Sequence, residues 1–188
     1  MKRMAEHCAD NAGDRKLGEV WERRFCALAA KHGRCFTPHQ IGRPSRAAAA
    51  GLRRAQEWEL LLLPDVTVWT APGEHHEIKH KSPTRQGDFG LELYRLQSLV
   101  RFARETNQDV LYTIHDWSIS GDRSDTINLI EHWRTANICD LAGNIDRQLP
   151  GSSYRGGRRV DGIPICYWRK DRWLPLAQYW NVAARVAA

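Results

Sequence analysis

The stretch LLLPDVTVWTAPGEHHEIKHK, residues 61–81, decides the fold of this chain. Residues 60–69 are rich in Leu and Val and predict a β-strand. The TAPG segment at residues 70–73 predicts a turn, because proline followed by glycine interrupts regular structure. Residues 75–81 predict a second strand. The two strands are therefore expected to form a hairpin or an adjacent pair in one sheet.

Charged side chains recur along these two strands in a pattern that could bind a metal ion. Asp65 follows Pro64 in the first strand, and Glu77 and Lys79 lie two residues apart in the second. Side chains alternate across a strand, so Glu77 and Lys79 share one face while Ile78 points to the other. Two carboxylates from neighbouring strands offer the hard oxygen ligands that suit Mg²⁺ or Mn²⁺. A neighbouring amine could then contact a scissile phosphate or help to activate a water molecule.

The rest of the chain predicts alternating helices and strands around this pair. An apolar stripe that begins at Leu17 predicts a first helix ending near Gly33. Other predicted elements are a short helix at 53–56, a polar loop at 82–90, a helix at 91–106, a strand at 109–115, a helix at 127–142, a mobile Gly/Arg-rich segment at 150–162 and a hairpin at 163–176. This order predicts a mixed α/β domain.

Composition narrows the function classes. The chain has 188 residues and a formal net charge of +6, with 42% hydrophobic and 27% charged residues, as in one globular domain. No apolar run approaches the ~18 residues of a membrane-spanning helix, and the N-terminus does not resemble a secretory signal. Five cysteines without a C-x-x-C pair argue against a disulfide framework and a zinc ribbon, although Cys35 and His39 could be two metal ligands. We expect reduced thiols, an intracellular (cytoplasmic) location and a polyanionic partner.

The sequence around Asp65 and Glu77-Ile78-Lys79 resembles the PD-(D/E)xK motif of a nuclease superfamily. The resemblance implies a restriction-endonuclease-like core, an α/β fold with a mixed central β-sheet flanked by helices. It also implies that the carboxylates and the backbone carbonyl of Ile78 bind the metal, and that Lys79 contacts the attacked phosphate. E-x-K alone is very common, and the added aspartate and the strand–turn–strand context make the pattern more specific.

Two helices extend the resemblance to the Holliday-junction-resolvase branch. There a G-x-x-x-E helix supplies another metal carboxylate, and Gly18 to Glu22 has that spacing. Glu19 competes for the role, but Glu22 borders the apolar stripe while Glu19 points away, so we predict Glu22. The second helix resembles the resolvase segment in which a Gln precedes a Phe-Ala-Arg pattern. This implies that Gln97 lies near Lys79 and orients it; a surface amide is the alternative.

The resemblance covers residues 17–115 and sets the expected organisation and function. We expect a flexible lead-in at 1–16, a nuclease core at 17–118 and a basic, Trp-rich C-terminal extension at 119–188 packed on the same domain. The implied activity is metal-dependent endonucleolytic cleavage of DNA, structure-selective and resolvase-like, with Mg²⁺ (Mn²⁺ able to substitute) in a homodimer, because two cuts need two sites. Predicted nucleic-acid contacts are Arg85, Tyr94, Arg101, Arg158 and Arg159.

Two alternatives to this function stay open. The chain could be a nuclease subunit of a larger mobile-element or repair assembly, with the basic C-terminal segment as a targeting surface. It could also be a DNA-binding module that keeps the fold without catalysis. Phosphodiester chemistry is shared by DNA and RNA, and by endonucleases and exonucleases, so the residues alone do not separate these substrates or modes.

Overall fold

A computed structural model describes residues 19–38, 64–69, 73–120, 128–155 and 158–181. Several predictions lie outside these residues. They are the lead-in at 1–16, the short helix at 53–56, the first part of the strand predicted from residue 60, and His39 of the Cys35 pair.

The described residues alternate between short helices and strands. The first helix, α1, covers residues 19–31. The strands are β1 (Cys35–Pro38), β2 (Val66–Trp69), β3 (Glu74–Lys81), β4 (Asp88–Glu92), β5 (Asp109–Asp116), β6 (Trp133–Asn137), β7 (Arg147–Arg155), β8 (Arg158–Arg169) and β9 (Leu174–Pro175). The other helices are α2 (Leu93–Thr106), α3 (Trp117–Ser120), α4 (Ile138–Gly143) and α5 (Leu176–Tyr179), with 3₁₀ turns at Ile130–His132 and Lys170–Arg172. None of these described helices is long and apolar enough to cross a membrane.

The strands form a central mixed sheet and a smaller second sheet. The central sheet has six strands in the order β1-β2-β3-β5-β6-β9, and the second has three in the order β4-β8-β7. In the central sheet β3 and β5 pair in parallel, and the neighbouring pairs are antiparallel. The predicted α/β fold, with a mixed central sheet flanked by helices, is confirmed by this arrangement.

The two faces of the central sheet carry two separate apolar cores. On one face Trp21 and Phe25 of α1 pack with Ile78 of β3, and all three are buried. On the opposite face Leu99 of α2 packs with Tyr112 of β5. Because residues alternate along β3, the neighbours of Ile78 share the second face, so the predicted charged residues lie beneath α2.

The helix predicted at 127–142 is wrong. The structure has a 3₁₀ turn, then strand β6, and only then the short helix α4. Trp133 and Thr135 belong to one face of β6 and Ala136 to the other, and all three are buried between neighbouring elements. A strand with both faces covered shows no simple alternation of apolar and polar residues, so this segment was mistaken for a helix. Asn137 ends the strand, and its side chain accepts the backbone N–H of Cys139 to cap α4.

The second sheet corrects three further predictions. The polar loop predicted to end at residue 90 already contains β4 from Asp88, and α2 begins at Leu93 rather than at residue 91. In the segment predicted to be mobile, residues 150–155 and 158–162 lie in the paired strands β7 and β8. The late hairpin at 163–176 is wrong, because β8 pairs with β4 and β7 whereas β9 pairs with β6.

Close packing explains the glycine in the middle of β4. Phe89 and Leu91 are buried on either side of Gly90. A Cβ on Gly90 would lie 2.8 Å from the ring of Tyr167, its partner on β8. Glycine therefore lets the edge of the second sheet approach closely at this point.

Candidate active site

The candidate site forms where β2 begins and β3 continues past it. The antiparallel register of these strands starts at the pair Val66 and His76. Asp65, just before β2, accepts the backbone N–H of Ile78 through Oδ2 at 2.8 Å. The N–H and C=O of one strand residue leave the strand on the same side, so the carbonyl of Ile78 also faces the side of Asp65. The chain thereby brings a carboxylate and a backbone carbonyl to the same side of β3.

Glu77 is the centre of the site. Its side chain is fully buried, with 0% exposure. Arg95 of α2 binds it with both arms of the guanidinium, Nε to Oε1 at 3.1 Å and Nη2 to Oε2 at 2.6 Å. Lys79 donates from Nζ to Oε1 at 2.5 Å. Both carboxylate oxygens of Glu77 are therefore satisfied by charged donors, which is the strong form of hydrogen bond.

Asp65 belongs to the same cluster at slightly longer range. Its Oδ2 lies 3.9 Å from Nζ of Lys79, and its Oδ1 lies 4.0 Å from Nη2 of Arg95. These four side chains, two carboxylates and two cations, are called the carboxylate–cation cluster below. Glu22 of α1 is close enough for its negative charge to act on Asp65. The first helix and three parts of the polypeptide beyond it thus converge on one site.

The two carboxylates are held in different electrostatic states. Burial alone would raise the pKa of Glu77, but the positive charges of Arg95 and Lys79 outweigh it and lower that pKa to about 2. Burial and repulsion by Glu77 and Glu22 raise the pKa of Asp65 to about 6, although Lys79 and Arg95 partly offset them. Neighbouring cations therefore compensate the negative charge of Asp65 less completely than that of Glu77.

Lys79 keeps its proton. Burial by itself lowers the pKa of this lysine, but the carboxylates of Glu77 and Asp65 raise it above its usual value. A protonated amine donates hydrogen bonds and does not accept a proton from water. In the arrangement of this structure, Lys79 is thus suited to binding an anionic oxygen.

The donor set suits a hard cation, although the side chains are not arranged around one. Within the part of the chain that the structure describes, no group of three or more His, Cys, Asp or Glu side chains is placed to hold a metal ion. Asp65, Glu77 and the carbonyl of Ile78 nevertheless provide oxygen ligands of the kind that Mg²⁺ takes, with Glu22 nearby. The positive charge beside these oxygens comes instead from Arg95 and Lys79.

Arg95 is the site residue that sequence reasoning missed. We expected Gln97 from the same helix near Lys79, but Gln97 is exposed and lines a groove between α2 and α4 with Val100 and Ala142. A signal for Arg95 was present, because it lies four residues before Leu99, on the stripe that the helix buries. A charged residue on a buried stripe needs a partner of opposite charge.

Lys81 links β3 to β4 close to the site. This lysine shares the face of Glu77 and Lys79, and its Nζ donates to the carbonyl of Gly90 at 2.6 Å. The hydroxyl of Tyr112 donates to the same carbonyl at 3.1 Å. Burial lowers the pKa of Lys81. These two bonds tie the central sheet to β4, and so they fix the second sheet beside the carboxylate–cation cluster.

The predicted nucleic-acid contacts lie on several separate elements. Arg85 is exposed in the turn before β4. Tyr94 is half-buried in the first turn of α2, next to Arg95, and Arg101 is exposed and paired with Glu105 at 2.6 Å. Arg158 and Arg159 lie at the start of β8, where they pair with the end of β7 in the hairpin.

Comparison with known proteins gives similarity in structure and none in sequence. No protein-family model and no curated protein matches the sequence. The fold is similar to that of Archaeoglobus fulgidus Hjc, a Holliday junction resolvase from an archaeal hyperthermophile, with 12% sequence identity and a TM-score of 0.49. The match covers 87% of this chain and 95% of that one.

Proposed function

We propose that this protein is a metal-dependent nuclease that hydrolyses phosphodiester bonds in DNA. The observation that carries the proposal is the meeting of Asp65, Glu77 and Lys79 beside β3. Residues from before β2 and from β3 converge there, with distances of 2.5 Å and 3.9 Å from the lysine nitrogen to the two carboxylates. Burying charged side chains costs free energy of folding. A buried cluster of this composition therefore points to a functional site.

Each residue has a distinct role in this proposal. Asp65, Glu77 and the carbonyl of Ile78 would hold Mg²⁺, or Mn²⁺ in its place, with Glu22 as a further carboxylate. A bound divalent cation supplies charge stabilisation to the phosphate and to the leaving oxygen. Lys79, which keeps its proton, would bind a non-bridging oxygen of the attacked phosphate. The role predicted for Gln97, orienting Lys79, stays a prediction.

The substrate that best suits the chain is structured DNA. The net charge of +6 favours a polyanion. The β7–β8 hairpin carries Arg158 and Arg159, and Arg85 lies in the turn between β3 and β4, so two further elements contribute basic residues. We propose endonucleolytic cleavage by a resolvase-like homodimer, in which two sites cut two strands.

One observation favours a second candidate, a DNA-binding module without catalysis. Arg95 already neutralises Glu77 with a bidentate contact. A guanidinium that never leaves would keep the carboxylates from binding a metal ion. The nuclease and the silent module share the fold and the basic surface, so cleavage has to separate them.

The decisive test is cleavage of a labelled panel of DNA by wild-type protein and by the Lys79→Met variant. The panel holds a four-way junction, a flap, a nicked duplex, a plain duplex and a single strand, each with Mg²⁺, Mn²⁺ or EDTA. We expect metal-dependent cleavage by the wild type, strongest on the junction, and its loss in Lys79→Met. Size-exclusion chromatography with light scattering tests the homodimer.

A matched control separates lost chemistry from lost folding. Lys31→Met removes an exposed lysine at the end of α1 and should cleave like the wild type. Melting temperatures of all three proteins show whether the variants are folded. Equal binding of the panel by all three proteins without any cleavage would refute the nuclease and support the silent module.

A further inference from the structure

We propose that Arg95 is an exchangeable internal counter-ion. In the metal-free protein it occupies the position between Asp65 and Glu77, and on metal binding it leaves these carboxylates and binds a phosphate of the DNA. This inference rests on the proposed function, because it concerns the same carboxylates. It adds a second ligand for Arg95 and a link between metal binding and DNA binding.

The position of the guanidinium carries the first step. Nη2 of Arg95 lies 2.6 Å from Oε2 of Glu77 and 4.0 Å from Oδ1 of Asp65. A cation shared by both carboxylates would have to occupy the space near these oxygens. The guanidinium and a divalent cation therefore compete for the same ligands, and their like charges repel each other at such distances.

Charge balance carries the second step. The cations of Lys79 and Arg95 match the carboxylates of Asp65 and Glu77 in number, and Glu22 adds one negative charge nearby. A dication added to this cluster would give it an excess of positive charge in a largely desolvated place, since the side chain of Glu77 is 0% exposed. Departure of Arg95 reduces that excess by one charge. Lys79 can remain, because its contact with Glu77 uses a single oxygen.

The surroundings of Arg95 allow it to move. Its side chain is 17% exposed and that of Lys79 is 33% exposed, so the cluster is open to solvent on the side of the lysine. Arg95 lies in the first turn of α2, and its side chain reaches Glu77 as a long flexible stem. A rotation of that stem moves the guanidinium outward while the helix stays in place. The fork that bound two carboxylate oxygens can then bind two oxygens of a phosphate.

Coupling between the two ligands follows from this exchange. A metal ion that releases Arg95 makes a phosphate-binding group available, so it raises the affinity for DNA. By thermodynamic reciprocity, DNA that captures Arg95 raises the affinity for metal by the same factor. The protein would bind metal weakly when alone and more tightly on its substrate.

The first experiment measures Mn²⁺ binding by electron paramagnetic resonance in wild type, Arg95→Met and Arg104→Met, without DNA. Arg104 is an exposed arginine in the last turn of the same helix, which makes it a matched control. We expect Arg95→Met to bind Mn²⁺ about tenfold more tightly than the wild type, within the usual range of coupling between sites. Arg104→Met should bind like the wild type.

The second experiment measures DNA affinity by fluorescence anisotropy on the four-way junction, with Ca²⁺ or EDTA. We expect Ca²⁺ to tighten DNA binding by the wild type and by Arg104→Met, and to tighten it much less in Arg95→Met. Arg95→Lys keeps the positive charge and loses the two-armed contact. If Arg95→Met fails to fold, Arg95→Lys replaces it in both experiments. Arg95→Lys should shift Mn²⁺ affinity in the same direction by a smaller factor.

The outcomes separate this inference from the proposed function. Equal Mn²⁺ binding by wild type and Arg95→Met overturns the exchange while the nuclease proposal survives. Absence of Mn²⁺ binding in all variants, with and without DNA, overturns both. A third outcome is that the Arg95 variants bind Mn²⁺ while the wild type binds none, even in the presence of DNA. Arg95 would then replace the metal permanently, and the exchange is overturned.

Discussion

Replacing Glu77 by glutamine should destabilise the metal-free protein far more than replacing Asp65 by asparagine. Glu77 is fully buried and accepts three charged hydrogen bonds, two from Arg95 and one from Lys79. A glutamine amide must place its NH₂ group against one of these cations in either orientation, so a donor then faces a donor. Arg95 and Lys79 would also lose their nearest negative charge.

The magnitude follows from the burial of this ion pair. Removing one partner of a buried ion pair costs about 3–5 kcal/mol, and the lower value applies here because Asp65 remains within 4.0 Å of Arg95. A loss of about 3 kcal/mol lowers the melting temperature of a chain of this size by roughly 6–12 °C. Asp65→Asn keeps an amide oxygen that can accept the N–H of Ile78, and it removes the repulsion of Glu77, so its cost should stay below about 1 kcal/mol.

Urea unfolding in EDTA, followed by tryptophan fluorescence, measures both free energies of unfolding. The chain contains eight tryptophans, which makes the signal strong. Glu105→Gln is the matched control, because its partner Arg101 and Glu105 itself are both more than half exposed. That variant should change the free energy of unfolding by less than about 0.5 kcal/mol. The reasoning is refuted if Asp65→Asn costs as much as Glu77→Gln.

Three further variants test the fold around the site, each by its melting temperature. Trp21→Ala should cost about 3–5 kcal/mol, because this 1% exposed ring stacks on His80 and His115 in the core beneath α1; a loss below about 1 kcal/mol would contradict that packing. Gly90→Ala should cost about 1–3 kcal/mol of stability, since its Cβ would lie 2.8 Å from the Tyr167 ring. An unchanged melting temperature would show that the Tyr167 side chain moves aside at little cost. Asn107→Gly should leave stability unchanged or raise it by up to about 1 kcal/mol, because this residue ends α2 with a φ of 52° that glycine adopts without strain; a clear loss would assign the Asn107 side chain a role of its own.

Local patterns predicted the strands that carry the motif. The two-residue spacing of Glu77 and Lys79 places both on one face of β3 in any strand, so their proximity needed no tertiary information. Asp65 was predicted to lie within the neighbouring strand, and in the structure it lies just before β2 begins at Val66. The Asp65 contact to the Ile78 N–H is a consequence of the antiparallel register, which the turn length does not specify by itself.

Longer-range partners limited what the patterns could predict. Strand β6 was mistaken for a helix because Trp133, Thr135 and Ala136 are all buried, and a strand covered on both faces shows no alternation. The β8 strand was divided between a mobile segment and a late hairpin, although it pairs over its length with β4 and β7. The pairing with β4 joins residues far apart in the chain, and no local spacing encodes it.

By itself, the sequence determined the α/β class, the face shared by Glu77 and Lys79 and the presence of Asp65 beside them, because side-chain alternation is a property of any extended chain. The tertiary structure alone decided which side chain of α2 contacts the carboxylates. Gln97 and Arg95 lie two residues apart on α2, and they point in directions about 200° apart around the helix axis. Only the way α2 docks on the sheet turns Arg95 toward Glu77, and that docking is set by the burial of Leu96 and Leu99.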